Sequence, residues 1–135
     1  MRSFITFIAF FPLLGFCQID TEKIFTEAEV STKAQHKGGE MGLAQYLIEE
    51  LHFPRAARKK KIQGKVETTF VVDKTGKILD IEIVASPDES LSEEARRVLK
   101  EMASWKPAEL NGLKVSQQVN QTIAFCLTMD CHKQN

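Results

Sequence analysis

Apolar positions along the chain change their spacing several times, and each change predicts a different element. Phe4 to Phe16 is almost unbroken apolar sequence behind Met1-Arg2-Ser3. It falls short of the roughly 20 residues that a bilayer-spanning helix needs. From Gly38-Gly39 onward Leu43, Ala44, Leu47, Ile48 and Leu51 recur every three or four positions, which predicts a helix with one apolar stripe. Pro54 restarts the chain as the first residue of a short second helix carrying Ala56 and Ala57, and Ile62-Gln63-Gly64 ends it. Between Lys65 and Val72 the period drops to two. Val66, Thr68, Phe70 and Val72 share one face, and Lys65, Glu67 and Thr69 alternate with them. Asp73-Lys74-Thr75-Gly76 is a hairpin turn, and Lys77 to Ala85 is the return strand, with Leu79, Ile81 and Ile83 on one side and Asp80 and Glu82 on the other.

Ser86-Pro87-Asp88-Glu89 breaks that strand, and Ser90-Leu91-Ser92-Glu93 fits a capping box that opens a third helix. Leu91, Ala95, Val98, Leu99, Met102 and Trp105 lie along its inner face. Glu93–Arg97 and Arg97–Glu101 are ion pairs four residues apart on its outer face, and Pro107 stops it. A loop through Asn111-Gly112 leads to a last strand, about Val115 to Leu127. Val115, Gln117, Val119, Gln121, Ile123, Phe125 and Leu127 are on one face, and Ser116, Gln118, Asn120, Thr122 and Ala124 on the other. The predicted fold is α+β: two layers, a three-stranded antiparallel sheet with helices packed on one face.

The first stretch has the parts of a secretory signal, which sets the address. Cleavage between Cys17 and Gln18 places Gly15 and Cys17 where small side chains are required. Residues 1–17 are thus read as a signal peptide and 18–37 as a polar N-terminal extension. Residues 38–128 are the domain and 129–135 a tail, and the location is periplasmic. Lipidation of Cys17 stays open as a second route, with Phe16 standing where a lipobox has a small residue. The chain has 18 basic and 18 acidic residues, so no overall field recruits nucleic acid or anionic membrane.

Catalytic patterns are missing from the sequence. It has no glycine-rich phosphate loop, no nucleophile elbow and no helical pair of histidines. The expectation is a non-enzyme without cofactor. Cys126 and Cys131 suit a local disulfide in an exported protein. With His132 they are also a metal alternative, which needs a fourth ligand from His36 or His52. Arg55, Arg58, Lys59, Lys60, Lys61 and Lys65 form a local basic run. It reads as a solvated helix face, with an acidic partner or anionic headgroups as the alternative. The last strand is the most informative element. A three-stranded sheet has two edges, and Ser116 to Leu127 has neither the charges nor the proline that edges use against pairing. Such an edge can take up an extended peptide.

Several motifs in order resemble the TonB C-terminal domain family. They are Gly38-Gly39, Phe53-Pro54 with Ala57, and Ile62-Gln63-Gly64-Lys65-Val66, then Phe70 to Ile78 with its glycine turn. Leu91-Ser92-Glu93-Glu94-Ala95, Trp105-Lys106-Pro107-Ala108 and Ile123-Ala124-Phe125 continue the series, Phe53 standing for the family's tyrosine. The resemblance implies a periplasmic module that binds the N-terminal segment of outer-membrane transporters, the TonB box, by strand addition in energised transport. The docking residues it implies are Phe53 and Pro54 with Gln118, Val119, Asn120, Gln121, Thr122 and Ile123. An uncleaved anchor and a long proline-rich spacer are not seen in the sequence, so inner-membrane motor proteins are expected as partners only if the chain is anchored. The alternative is a structural or regulatory envelope protein, in one form a homodimer joined by edge strands.

Overall fold

The computed structural model describes residues 22–103 and 105–127. The signal segment, Cys17, Cys131 and His132 lie outside the described residues. The elements in chain order are β1 (Ile24–Phe25), α1 (Gly39–Glu50), α2 (Arg55–Lys59), β2 (Gly64–Val72) and β3 (Ile78–Ala85). They continue with α3 (Glu89–Glu101), β4 (Ala108–Leu110) and β5 (Leu113–Phe125). Among the described residues no helix is long and apolar enough to cross a membrane.

The predicted antiparallel core is present. β2 lies between β3 and β5, and its inward residues Val66, Thr68, Phe70 and Val72 are all buried. β5 pairs with β2 without a break from Gly64↔Phe125 to Val72↔Gln117. α3 covers this face with Leu91, Ala95, Val98 and Leu99, each fully buried. The leucines and the valine among them stabilise the fold by about 1.5–3 kcal/mol apiece relative to exposure. Met102 and Trp105 complete the inner stripe as expected, and the Trp105 ring stands edge-on to Phe70 at 5.2 Å.

The sheet also holds two short strands beyond the three expected. β4 folds back on β5 through Asn111 (φ 51°) and Gly112 (φ 80°), the left-handed pair of a tight hairpin. β1 pairs parallel to β5, Ile24 opposite Ser116 and Phe25 opposite Gln117, so the sheet is mixed rather than purely antiparallel.

Four local expectations are corrected. Leu79 does not share a face with Ile81 and Ile83. Asp80 takes φ 51° and the β2–β3 register shifts beside it, so Ile78, Ile81 and Ile83 pack on the core while Leu79 is left exposed. In α1 the inward arc is Leu43, Tyr46 and Leu47, whereas Ala44 and Ile48 are exposed. The Tyr46 hydroxyl donates to the Val98 carbonyl at 3.0 Å, which sets this rotation. The cap of α3 is Asp88 rather than Ser90. Its carboxylate accepts from the Ser90 amide (3.1 Å) and hydroxyl (2.5 Å), two residues earlier than the capping box implied. Arg97 pairs with Glu94 (2.7 Å) instead of Glu93, keeps the expected pair with Glu101 (2.6 Å), and donates to the Glu50 carbonyl at 2.8 Å. Glu94 also accepts from the His52 amide. Arg97 thereby ties the end of α1 to α3.

Candidate functional site

β5 follows from its residue types. Val115 to Leu127 contains no charged residue and no proline, and its β-branched and amide side chains suit a pleated strand. The structure brings Gln118 to Ile123 onto one continuous edge. On one side they pair with β2 residues 66–71. On the other side, among the described residues, nothing pairs with β5 beyond Gln117. The open stretch from Gln118 to Phe125 is about 25 Å long at a strand's rise per residue. Gln118, Asn120 and Thr122 are exposed, Val119 and Gln121 half-buried, and Ile123 is 1% exposed. Ile123 therefore has only its backbone to offer, because its side chain is core.

The near end of the edge is occupied by the chain's own N-terminal segment. After β1 the chain turns at Thr26–Glu29, held by the Thr26 amide (2.8 Å) and hydroxyl (3.0 Å) donating to the Glu29 carboxylate. Those two hydrogen bonds, the backbone one first, hold the Glu29 carboxyl below its ordinary range. Residues 31–35 then run beside the stretch from Lys106 to Glu109. Amide–carbonyl bonds join Thr32 with Glu109 in both directions (3.0 and 2.9 Å) and Gln35 with Lys106 in both directions (3.1 and 2.8 Å). Buried Gln117 accepts from the amide of Ala34 at 2.7 Å. Part of the stretch read as an extension is thus paired with the folded unit.

Between this strap, the start of α1 and the open edge lies a cleft of about 560 Å³. Ala34, His36, Leu43 and Trp105 line it with Val119, Asn120 and Gln121. A smaller groove of about 210 Å³ lies at the far end of β5, between Ile48, Leu51, Phe53, Ala124 and Cys126. Phe53 belongs here, its ring edge-on to Phe125 at 6.1 Å. Pro54 caps α2 with φ −60°. Phe53 and Pro54 therefore sit beyond the end of the Gln118–Ile123 stretch rather than beside it. Pattern reasoning does not find His36, Leu43, Trp105 and Gln117 as site residues. The one available signal is the glutamine at position 117, set between Val115 and Val119 on a largely apolar row, which calls for a buried hydrogen-bond partner.

Cys126 takes part in a disulfide; its expected partner, Cys131, lies outside the described residues. Among the described residues no cluster of histidine, cysteine and carboxylates could hold a metal ion.

Residues 49–127 match the family model of the Gram-negative bacterial TonB protein C-terminal. The chain is similar to a solution structure of the Helicobacter pylori TonB C-terminal domain, with 22% identity and a TM-score of 0.52, covering 67% of this chain and 95% of that one. A solution structure of the Pseudomonas aeruginosa domain is 26% identical with a TM-score of 0.47, covering 56% of this chain and 77% of that one. No curated protein matches.

Proposed function

The chain belongs to the TonB C-terminal domain family, and from that premise we propose that it is a periplasmic protein-binding module. It takes up an extended segment of an outer-membrane TonB-dependent transporter as a strand added to β5, in the service of energised transport. The observation that carries this reading is the open, regular and uncharged edge from Gln118 to Phe125, with a cleft along it at Val119–Gln121. Backbone hydrogen bonds supply the affinity, and alternate side chains of the guest meet the cleft and the groove by Phe53, which supplies selectivity. No catalytic step is involved in this reading.

The test is a titration of the isotope-labelled full-length protein with extended peptides from transporter N-termini, followed by backbone amide shifts. Shifts concentrated at Gln118–Ile123, lost when proline is placed at the centre of the peptide, support the reading. A folded, monomeric protein that shows no shifts with any peptide removes it. A second reading, a homodimer joined through β5, rests on the same uncharged edge. Sedimentation at rising protein concentration separates the two.

A further inference from the structure

α1 is apolar on both sides, and only one side is packed. Leu43, Tyr46 and Leu47 pack on the core. Met41, Ala44 and Ile48 recur at helical spacing on the opposite side, and all three are exposed. Met41 is 86% and Ile48 81% exposed, the highest values for large apolar side chains among the described residues. A helix that is apolar all round is ordinarily buried all round, so this row calls for a second surface. Glu40 and Glu49 stand about a quarter-turn to either side of it, and Glu49 is engaged by Gln45 at 2.5 Å.

The next helix is cationic where α1 is apolar. Ala57 is the buried residue of α2. Arg55, Arg58 and Lys59 lie together on the side away from it, exposed and, among the described residues, without an ion pair. Lys60 and Lys61 follow, also exposed. Lys61 takes φ 54°, a left-handed position that glycine fills with less strain. The two rows share one stretch of surface. Ile48 and Phe53 line the same groove, and the Arg58 guanidinium lies 6.0 Å from the centre of the Phe53 ring. Between residues 37 and 61 six basic residues stand against three acidic ones, so this region is positive although the chain as a whole is neutral.

We infer that α1 and α2 form a docking surface for an anionic lipid bilayer. Met41 and Ile48 enter the acyl boundary, and Arg55, Arg58 and Lys59 meet the headgroups. A bilayer is favoured over a second copy because three side chains on a helix row fall well short of the about 800 Å² per partner that a stable protein interface buries. It is favoured over an acidic peptide because a ligand held by charge alone would leave Met41 and Ile48 in water. The surface uses no residue of Gln118–Ile123, so the inference stands apart from the strand-addition reading.

The experiment places a tryptophan reporter in the full-length protein and reads its quenching by brominated lipid in vesicles. Trp105 is 4% exposed and gives a constant background. Ile48→Trp reports the α1 row. Leu113→Trp is the control, at the most exposed large apolar position outside α1 (71%), where Lys114 stands opposite Glu109 in the sheet register. Attachment through residues 4–16 would act on both reporters alike, so a difference between them belongs to α1. Phosphatidylglycerol vesicles should quench Ile48→Trp and leave Leu113→Trp unquenched. Half-quenching should need about tenfold less phosphatidylglycerol than phosphatidylcholine, from three cations worth about fivefold each near an anionic surface and opposed by the flanking carboxylates. Arg55→Gln, Arg58→Gln and Lys59→Gln together should remove that preference, and Met41→Ser should weaken quenching by both lipids. Equal quenching of the two reporters, or of neither, overturns the inference. So does a missing preference for phosphatidylglycerol, or one that survives the triple variant. Blue-shifted Ile48→Trp emission that grows with protein concentration in the absence of lipid assigns the row to a second copy and also overturns it.

Discussion

The two edges of the antiparallel core, β3 and β5, are built in opposite ways. β3 breaks register with β2 at two places, between Glu67 and Thr68 and between Thr69 and Val71 on the β2 side. Asp80 takes a left-handed backbone conformation there, and Glu82 is exposed beside it. Bulges and carboxylates are how a sheet closes an edge to further pairing. β5 keeps an unbroken register over the whole of β2 and shows no charge along its open half. The difference is informative because both edges share one central strand. The fold could have blunted β5 in the same way as β3, and instead it left it flat. Among the described residues its near end alone is covered, by two residues of β1 and the strap behind them.

The largest effect is expected where the closed edge is anchored. The hairpin between β2 and β3 ends on Gly76, whose φ is +86° and whose carbonyl accepts from the Trp105 amide at 2.8 Å. A Cβ there would lie 2.1 Å from the Trp105 oxygen. Gly76→Ala should destabilise the protein by about 3 kcal/mol, read as a lowered urea midpoint. A midpoint equal to wild type would show that the tip is not pressed against Trp105.

Next comes the covered end of the open edge. Gln117→Leu removes the acceptor for the buried Ala34 amide and should cost about 2 kcal/mol. It should also speed hydrogen exchange across residues 31–35. Unchanged exchange in that segment would mean that Gln117 does not hold the strap.

Making β5 resemble β3 tests the comparison directly. Asn120→Lys with Thr122→Lys puts two charges on exposed positions and should weaken peptide binding about tenfold, or about 1.4 kcal/mol. Stability should be almost unaltered. Val84→Lys, on β3, should leave binding as it was. Equal weakening by both changes would show that the peptide does not choose the β5 edge.

The smallest effect concerns the Thr26–Glu29 turn that closes β1. Glu29 is held below its ordinary range by the hydrogen bonds from Thr26. A carboxylate lowered in the folded state contributes its stability above the unfolded value and loses it as pH falls through the folded one. Asp88 is lowered too, by the hydrogen bonds of Ser90. At Glu94 burial pushes upward, and the hydrogen bonds from Arg97 and His52 outweigh it, so the net direction is again down. All three losses therefore lie on the acid side of the ordinary carboxylate range, below about pH 4.5. The Thr26 amide shift should titrate with a midpoint under that value and stop titrating in Glu29→Gln. A midpoint at the ordinary glutamate value would remove the proposed hold on the turn.

Much of the core is legible in the sequence. The alternation from Val66 to Val72 and the three-four spacing from Leu91 to Trp105 each describe one buried face, and burial follows both. The uncharged run on β5 is equally visible. Other features are not, for identifiable reasons. The phase of β3 depends on a bulge at Asp80, and a bulge moves one residue without changing composition. The inward side of α1 is ambiguous because Ala44 and Ile48 are as apolar as Leu43 and Leu47. Only Tyr46 reaching the Val98 carbonyl decides between the two arcs. The walls of the cleft come from His36 and Leu43 at one end of the chain and Trp105 and Val119 at the other, and no one motif holds them.

From the sequence alone come the helices and strands with strong local periods, the turn chemistry of Asp73–Gly76 and the lack of charge on the last strand. All of these are properties of neighbouring residues, and local sterics and amphipathic spacing act on neighbours. Tertiary structure decided which strands lie side by side, which edge stays open, and how the strap lies across one end of that edge. Those outcomes depend on hydrogen-bond partners and packing surfaces supplied by residues tens of positions away, and no local pattern records where such partners will be.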